Sequence, residues 1–383
     1  MKKYMMLVCL VMSGLLLTGC GKNGKDTEGT PTPSPTMPIE QENPEPSQTP
    51  EQTEEGNVKE AAEESNDNTN TIKDYFPPLK DTTYIYEGVG MEYASFTVFM
   101  DYFDEEDNRY QTRTDNGGTV TVKVLEINDG KLSVIKSIGE AYYRDNILDT
   151  KPEKHVDVLL KEPLVKGTNW TTPDGSERYI SNTNVKVESD LGTYDTIEVT
   201  TKREDSTTKE YYAKGVGMVK SVFKSDDYEV SSTLSAIKKE TPRTQIIEVF
   251  YPGKDEKIHV EQISVNFHTN DITRIVLEKA VKEEVLDDNY LPLISSNTKI
   301  NSLYLGKDNI VYVDFSKEFI EEMNAGSGYE VLILQSIVNT LGNYYGVEKV
   351  YITVDEKVYE SGHILLKQGE TLEVNMEAVV REE

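Results

Sequence analysis

Hydrophobic and polar residues alternate with a period of two through most of residues 74–240. "TVTVKVLEI" (119–127) puts Val120, Val122 and Val124 on one face, and "NDG" (128–130) offers a hairpin turn before "KLSVIKSI". "NVKVES" (184–189) and "TIEVTTK" (196–202) read as further strands about the turn residues of "DLGTYD". "EYYAKGVGMVKSVF" (210–223) reads as two strands about a Gly-rich turn, and "YEVSSTLSAIKK" (228–239) completes the set. Helical periodicity is scarce, and "KHVDVLL" (154–160) fits either state. The pattern predicts a mostly antiparallel β-rich middle domain, strongly curled or closed, with many tyrosines on its strands. Trp170 is expected to anchor its core.

The period changes after the charged, Pro-broken stretch "KKETPRTQ" (238–245). From there the order reads strand, strand, helix, strand, strand, helix, strand. "IIEVFYP" (246–252) and "ISVNFHT" (263–269) are strands; "DITRIVLEKAVKEEV" (271–285) is a helix with Asp271 as cap and Ile272, Val276 and Ala280 on one face. "KINSLYLG" (299–306) and "NIVYVDFS" (309–316) flank the turn "GKDN". The second helix spans 329–346, with Leu334, Ile337, Val338, Leu341 and Tyr345 on one face and Gly346 as its stop. "VEKVYITVDEK" (347–357) alternates as the last strong strand. Two helices on one face of a small sheet give an α+β domain over 246–367, followed by a C-terminal tail, 368–383.

The N-terminus is of another kind. Lys2 and Lys3 precede a short apolar run and "LTGC" (17–20), the form of a secretion signal over 1–20. "LTGC" resembles the lipobox of bacterial lipoproteins, which implies that Cys20 receives a diacylglycerol and becomes the mature N-terminus. Buried acyl chains, at about 0.8 kcal/mol per CH₂, would hold such a protein on the cell membrane at its extracytoplasmic face. Residues 21–73 carry seven prolines and 12 acidic residues against four lysines, with few large apolar side chains. Such a segment buries too little surface to offset its ordering entropy and is expected to be a disordered tether.

Cysteine occurs only at Cys9 and Cys20, so beyond the signal no disulfide, thiol nucleophile or Cys-type zinc site is expected. The net charge of −28 argues against nucleic acid as a partner, because phosphate binding needs a basic face. No phosphate loop, G-x-S-x-G or H-E-x-x-H pattern is present. His155, His259, His268 and His363 are scattered, although His259 and His268 could meet across the first two C-terminal strands. Ser327, in the "GSG" of 326–328, reads as part of a helix-entry loop rather than as a nucleophile. "DYFDEEDN" (101–108) and "LDD" (286–288) are acidic clusters without the alternating calcium-loop spacing. Asp314, at a strand end, reads as a cap or turn acceptor. These residues predict no catalytic, metal or cofactor site.

"VFYPG" (249–253), "TKINSLYLGKDNIVYVDFSKEF" (298–319), "LQSIVNTLGNYYGVEKVYITVDEKV" (334–358) and "SGHILL" (361–366) together resemble the GerMN domain of sporulation and germination lipoproteins. One departure stands after the first helix, where "EEVLDDNYLPL" replaces the family's usual Gly-Pro turn. The resemblance implies a fold close to the ring-building motif, without a catalytic site, that associates side by side with copies or with envelope proteins. The expectation is therefore a non-enzymatic, lipid-anchored scaffold of sporulation or germination. Two readings of other classes stay open: binding of a lipid or glycan inside the curled sheet, and hydrolysis of cell-wall material.

Overall fold

Twelve antiparallel strands form one sheet in which each half is a simple up-and-down run. The structure, a computed structural model, describes residues 70–282, 289–377 and 379–381. The expected signal, Cys20, nearly all of the tether and the "LDD" cluster lie outside the described residues. The strands are β1 (Thr83–Val89), β2 (Phe96–Asp104), β3 (Arg109–Asp115), β4 (Val120–Asn128), β5 (Lys131–Ile138) and β6 (Asp157–Lys161), then β7 (Asn169–Thr171), β8 (Glu177–Ser189), β9 (Gly192–Lys202), β10 (Ser206–Ala213), β11 (Gly217–Ser225) and β12 (Glu229–Lys238). Their spatial order is β6-β5-β4-β3-β2-β1-β12-β11-β10-β9-β8-β7, so the first and last strands pair in the middle. The expected "NDG" hairpin joins β4 to β5, with Asp129 at φ 49° and Gly130 at φ 63°. Two successive left-handed residues make the turn whose twist suits paired strands.

The sheet curls until its edges meet. Trp170 Nε1 on β7 donates to the Val158 carbonyl on β6 at 2.8 Å. Arg178 on β8 reaches the same carbonyl at 2.7 Å and Asp157 Oδ1 at 2.9 Å. Side chains therefore bridge the seam where a backbone ladder would close a barrel. One buried cluster draws on both halves of the sheet, with Leu125, Leu132 and Leu160 against Ile180, Val199 and Tyr212. Register shifts within β1, β2, β4, β5, β8 and β10 supply local bends, as bulges do. A short helix, α1 (Ile72–Tyr75), adds Ile72 and Tyr75 to this core. Ile72 belongs to the stretch expected to be tether, yet it is fully buried.

The strands expected to form one small C-terminal sheet divide between two. β13 (Arg243–Pro252) and β14 (Ile258–Phe267) form the first, joined by a short parallel strand from the C-terminus. After α2 (Thr273–Lys282), β15 (Ile300–Leu305) and β16 (Ile310–Phe315) begin the second. α3 (Glu318–Glu321) and the 19-residue α4 (Ser327–Tyr345) then carry the chain to β17 (Lys349–Val354), which pairs in parallel with β16. A parallel pair needs such a crossover. β18 (Lys357–Val358) and β19 (Leu372–Glu373) add to β17, and β20 (Val379–Val380) is the strand on β14.

α4 is covered on nearly every side. The expected apolar face is buried, and so are Glu330, Ser336, Asn339 and Thr340 on the others. Thr340 Oγ1 accepts the Phe250 N–H of β13 at 3.0 Å. Gly346 ends the helix at φ 68°, and Val347 N–H closes on the Gly342 carbonyl at 2.9 Å. For α2 the buried positions are Thr273, Leu277, Ala280 and Val281, while Ile272 is 53% exposed. Of the expected face, Ala280 is buried and Val276 packs against the core, while Ile272 falls outside it because the helix begins at Thr273 and Asp271 turns back to accept the His268 N–H at 2.8 Å.

The tail acts as a strap across α4. Asn375 exchanges hydrogen bonds with Asn339 at 2.7 and 2.9 Å, and Arg381 grips Glu248 of β13 at 2.8 and 3.1 Å. A Cβ on Gly342 would lie 2.2 Å from Val374 Cγ2, so only glycine lets the strap seat. Gly342→Val is expected to cost about 1–3 kcal/mol through overpacking, and Val374→Ala in the same chain to recover part of it. Urea unfolding measures both; an unchanged midpoint for Gly342→Val would rule out this close seating.

Candidate functional site

Arg144, in the loop after β5, sits where the twelve-stranded sheet meets β14 and α2. It is fully buried, with its guanidinium 4.0 Å over the Tyr102 ring and 5.0 Å from that of Phe267. Nη1 donates to Tyr102 OH at 2.7 Å and to the Asp271 carbonyl; Nη2 donates to the Asp101 and His268 carbonyls at 2.8 and 2.9 Å. Its own N–H reaches Tyr344 OH of α4 at 3.1 Å. Asp101 lies between Arg144, at 3.7 Å, and Arg113, at 2.9 Å. Arg113 also donates to the Ala141 and Tyr143 carbonyls. A planar guanidinium suits this task, since its fixed fork of donors can satisfy carbonyls from several elements at once.

The acidic cluster of 101–108 therefore separates into parts. Asp101 is buried in the ionic hub, and Asp104 accepts the Glu106 and Asp107 N–H groups in the β2–β3 turn. Among the described residues, no three His, Cys, Asp or Glu side chains are grouped to hold a metal. No local pattern marks Arg144, because "YYRDN" (142–146) is an aperiodic loop.

Beside the hub lies a cleft of about 260 Å³. Gln111, Val122, Ile138, Tyr143, Asp145 and Ile147 line its inner side; Leu305, Lys307 and Asn309, around the β15–β16 turn, line the outer. Gln111 is occupied on both ends, donating to the Asp145 carbonyl and accepting the Ile147 N–H. Among the described residues, the Asp145 carboxylate accepts only its neighbour's N–H, from Asn146 at 3.0 Å. Burial pushes this carboxyl above its usual range, against that one hydrogen bond.

The other residues singled out by sequence have structural places. Asp314 accepts from Thr353 Oγ1 at 2.6 Å, from Glu356 N–H at 2.8 Å and from Asn301 Nδ2 at 2.9 Å. It thereby holds the β17–β18 turn, in which Asp355 and Glu356 both have positive φ. His259 and His268 cannot meet across two strands, because His259 lies on β14 and His268 follows its end. His259 pairs with Asp255 at 3.0 Å and stacks on Tyr290, whereas His268 pairs with Asp81 at 3.1 Å. His155 and His363 are exposed. Ser327 is not in a loop but is the first residue of α4. Glu330, one turn on, is buried and accepts Tyr359 OH at 2.7 Å and the Ser361 hydroxyl.

Residues 248–360 match the family model described as Germane, sporulation and spore germination. The resemblance read from "VYVDFS" and "IVNTLGNYYGVEKVYITVD" is thus borne out for the C-terminal third of the chain. Among solved structures, the tandem GerMN domains of the sporulation protein GerM from Bacillus subtilis are 19% identical, with a TM-score of 0.27. That likeness covers 33% of this chain and 45% of the tandem structure, so the chain spans less than half of its length. The first GerMN domain of the same protein is 19% identical over 32% of this chain and 94% of its own, with a TM-score of 0.25. A protein of YmcC-like fold from Bacteroides fragilis is 13% identical over 43% of this chain and 99% of its own, with a TM-score of 0.28. No curated protein matches the chain.

Arg144→Met is expected to cost about 3–5 kcal/mol, the usual result of breaking one side of a buried ion pair. Urea unfolding followed by the Trp170 signal and by far-UV circular dichroism should then give two separated transitions. Coincident transitions at the parent midpoint would show that the hub does not couple the two halves. The pH dependence at Asp145 has a definite sign. Its folded-state pKa lies above the ordinary 3.8, so ionisation lowers stability as pH rises through the folded value. Asp145→Asn should raise the melting temperature at about pH 7 and lose that gain near pH 3; a lower melting temperature at pH 7 would mean the carboxylate has a cation.

Proposed function

We propose that this chain is an exported, lipid-anchored envelope protein of sporulation or spore germination that acts without catalysis. The observation that carries this reading is the Germane match over 248–360. On this reading Cys20 is the lipid attachment, 21–73 the tether, 74–240 the β-rich domain and 246–367 the GerMN-like unit. α2, α4 and the β15–β17 sheet would supply the ring-building type of surface, working by self-association or by docking envelope proteins. Among the described residues, no helix is long and apolar enough to cross a membrane. Attachment would then come from the acyl chains alone, two or more of which suffice for stable anchoring.

The filled interior of the curled sheet supports a scaffold over a lipid or glycan carrier. Tyr110, Leu125, Leu132, Leu160, Val199 and Tyr212 pack there as one buried cluster. Cys20→Ser is expected to move the protein from the membrane fraction to the soluble exported fraction. A fluorescent C-terminal fusion of the parent chain should gather at the membranes between mother cell and forespore. Uniform envelope signal through growth and starvation would end the sporulation assignment.

A further inference from the structure

Opposite charges line one cleft in this molecule without pairing. Asp145 comes from the loop after β5 and Lys307 from the β15–β16 turn, and both face the space of about 260 Å³ beside the ionic hub. They form no ion pair with each other, and among the described residues neither has any ion-pair partner. Two other polar side chains of the cleft are already engaged. Gln111 is held at both ends by backbone groups, and Arg113 is ion-paired with Asp101. The same cleft is lined by the apolar residues Val122, Ile138, Ile147 and Leu305.

We propose that this cleft binds the zwitterion of a small apolar α-amino acid. Its ammonium would meet the Asp145 carboxylate, its carboxylate the Lys307 ammonium, and its side chain the wall of Val122, Ile138 and Ile147. Size favours a ligand of this class. The volume equals roughly nine waters at ~30 Å³ each and falls below the ~300 Å³ at which drug-sized pockets begin. Charge favours it too. A chain of net charge −28 repels free anions, whereas a zwitterion is neutral at long range and pairs only on contact. The carboxylate at Asp145 also gives up stability at neutral pH, a cost that a bound ammonium removes.

Calorimetric titration of the full chain with L-leucine tests this. Saturable binding is expected, weakened at least about tenfold for N-acetyl-L-leucine, which lacks the ammonium, and for L-leucinamide, which lacks the carboxylate. Asp145→Asn and Lys307→Gln should each weaken L-leucine by a similar factor; Lys307 is exposed, so its substitution leaves the fold intact. The proposal is overturned if L-leucine and L-valine give no saturable heat. It is equally overturned if binding survives both substitutions unchanged. Because the readout is binding by the purified chain, neither result depends on the sporulation reading.

Discussion

The whole described structure turns on one buried carboxylate that two arginines share. Asp101 is fully buried, and a lone ionised carboxylate there would cost several kcal/mol. Arg113 and Arg144 remove that cost and bring a cost of their own, which their remaining donors offset only by finding carbonyls. Those carbonyls belong to different parts of the chain: Ala141 and Tyr143 in the loop after β5, Asp271 and His268 between β14 and α2. These guanidinium-to-carbonyl bonds thus fix the angle at which the curled sheet meets the C-terminal fold, while Arg144 Nε and Asp101 Oδ1 face each other at 3.7 Å without a hydrogen bond. Apolar burial alone would leave that angle soft, since it has no direction. Asn70–Glu383 forms a single compact unit, as such a junction requires.

A second constraint works inside the C-terminal fold. β16 and β17 are parallel, so the chain must leave the sheet and return, and α4 makes that return. The helix then lies against β13 on one side and β17 on another, with polar residues buried where no single apolar face would predict them. Three of these find a partner from a different element, Thr340 from Phe250, Asn339 from Asn375 and Glu330 from Tyr359, while the Ser336 hydroxyl has none among the described residues. The strap carrying Asn375 lies beyond the residues that match the family, yet it supplies part of the helix's polar satisfaction.

Much of this was legible in the sequence where a local rule governs it. The alternation in "TVTVKVLEI" and the two left-handed positions of "NDG" fix β4, β5 and their turn through nearest neighbours alone. Gly346 stops α4 for the same reason. What escaped is what depends on distant residues. β1, β2 and β3 are only partly alternating, because Gln111, Thr112, Arg113 and Asp101 are buried polar groups satisfied from elsewhere. Asp101 therefore reads as one more member of the acidic cluster of 101–108. On α2 the expected face holds at Val276 and Ala280 but not at Ile272, which is about half exposed because it precedes the helix. The division of the C-terminal strands into two sheets is likewise non-local, set by which strand α4 covers.

The cleft follows from the hub rather than standing apart from it. Arg113 is one of its walls, and Tyr143, whose carbonyl Arg113 holds, is another. Both arginines pair with Asp101, and among the described residues Asp145, two positions beyond Tyr143, has no ion-pair partner and a single backbone donor. The turn carrying Lys307 is fixed at its base, with Gly306 donating to the Ile310 carbonyl of β16 at 2.8 Å and Asn309 donating to the Gly306 carbonyl at 3.1 Å. The junction thus sets two opposite charges on one cleft with an apolar lining, the combination that a small zwitterion completes.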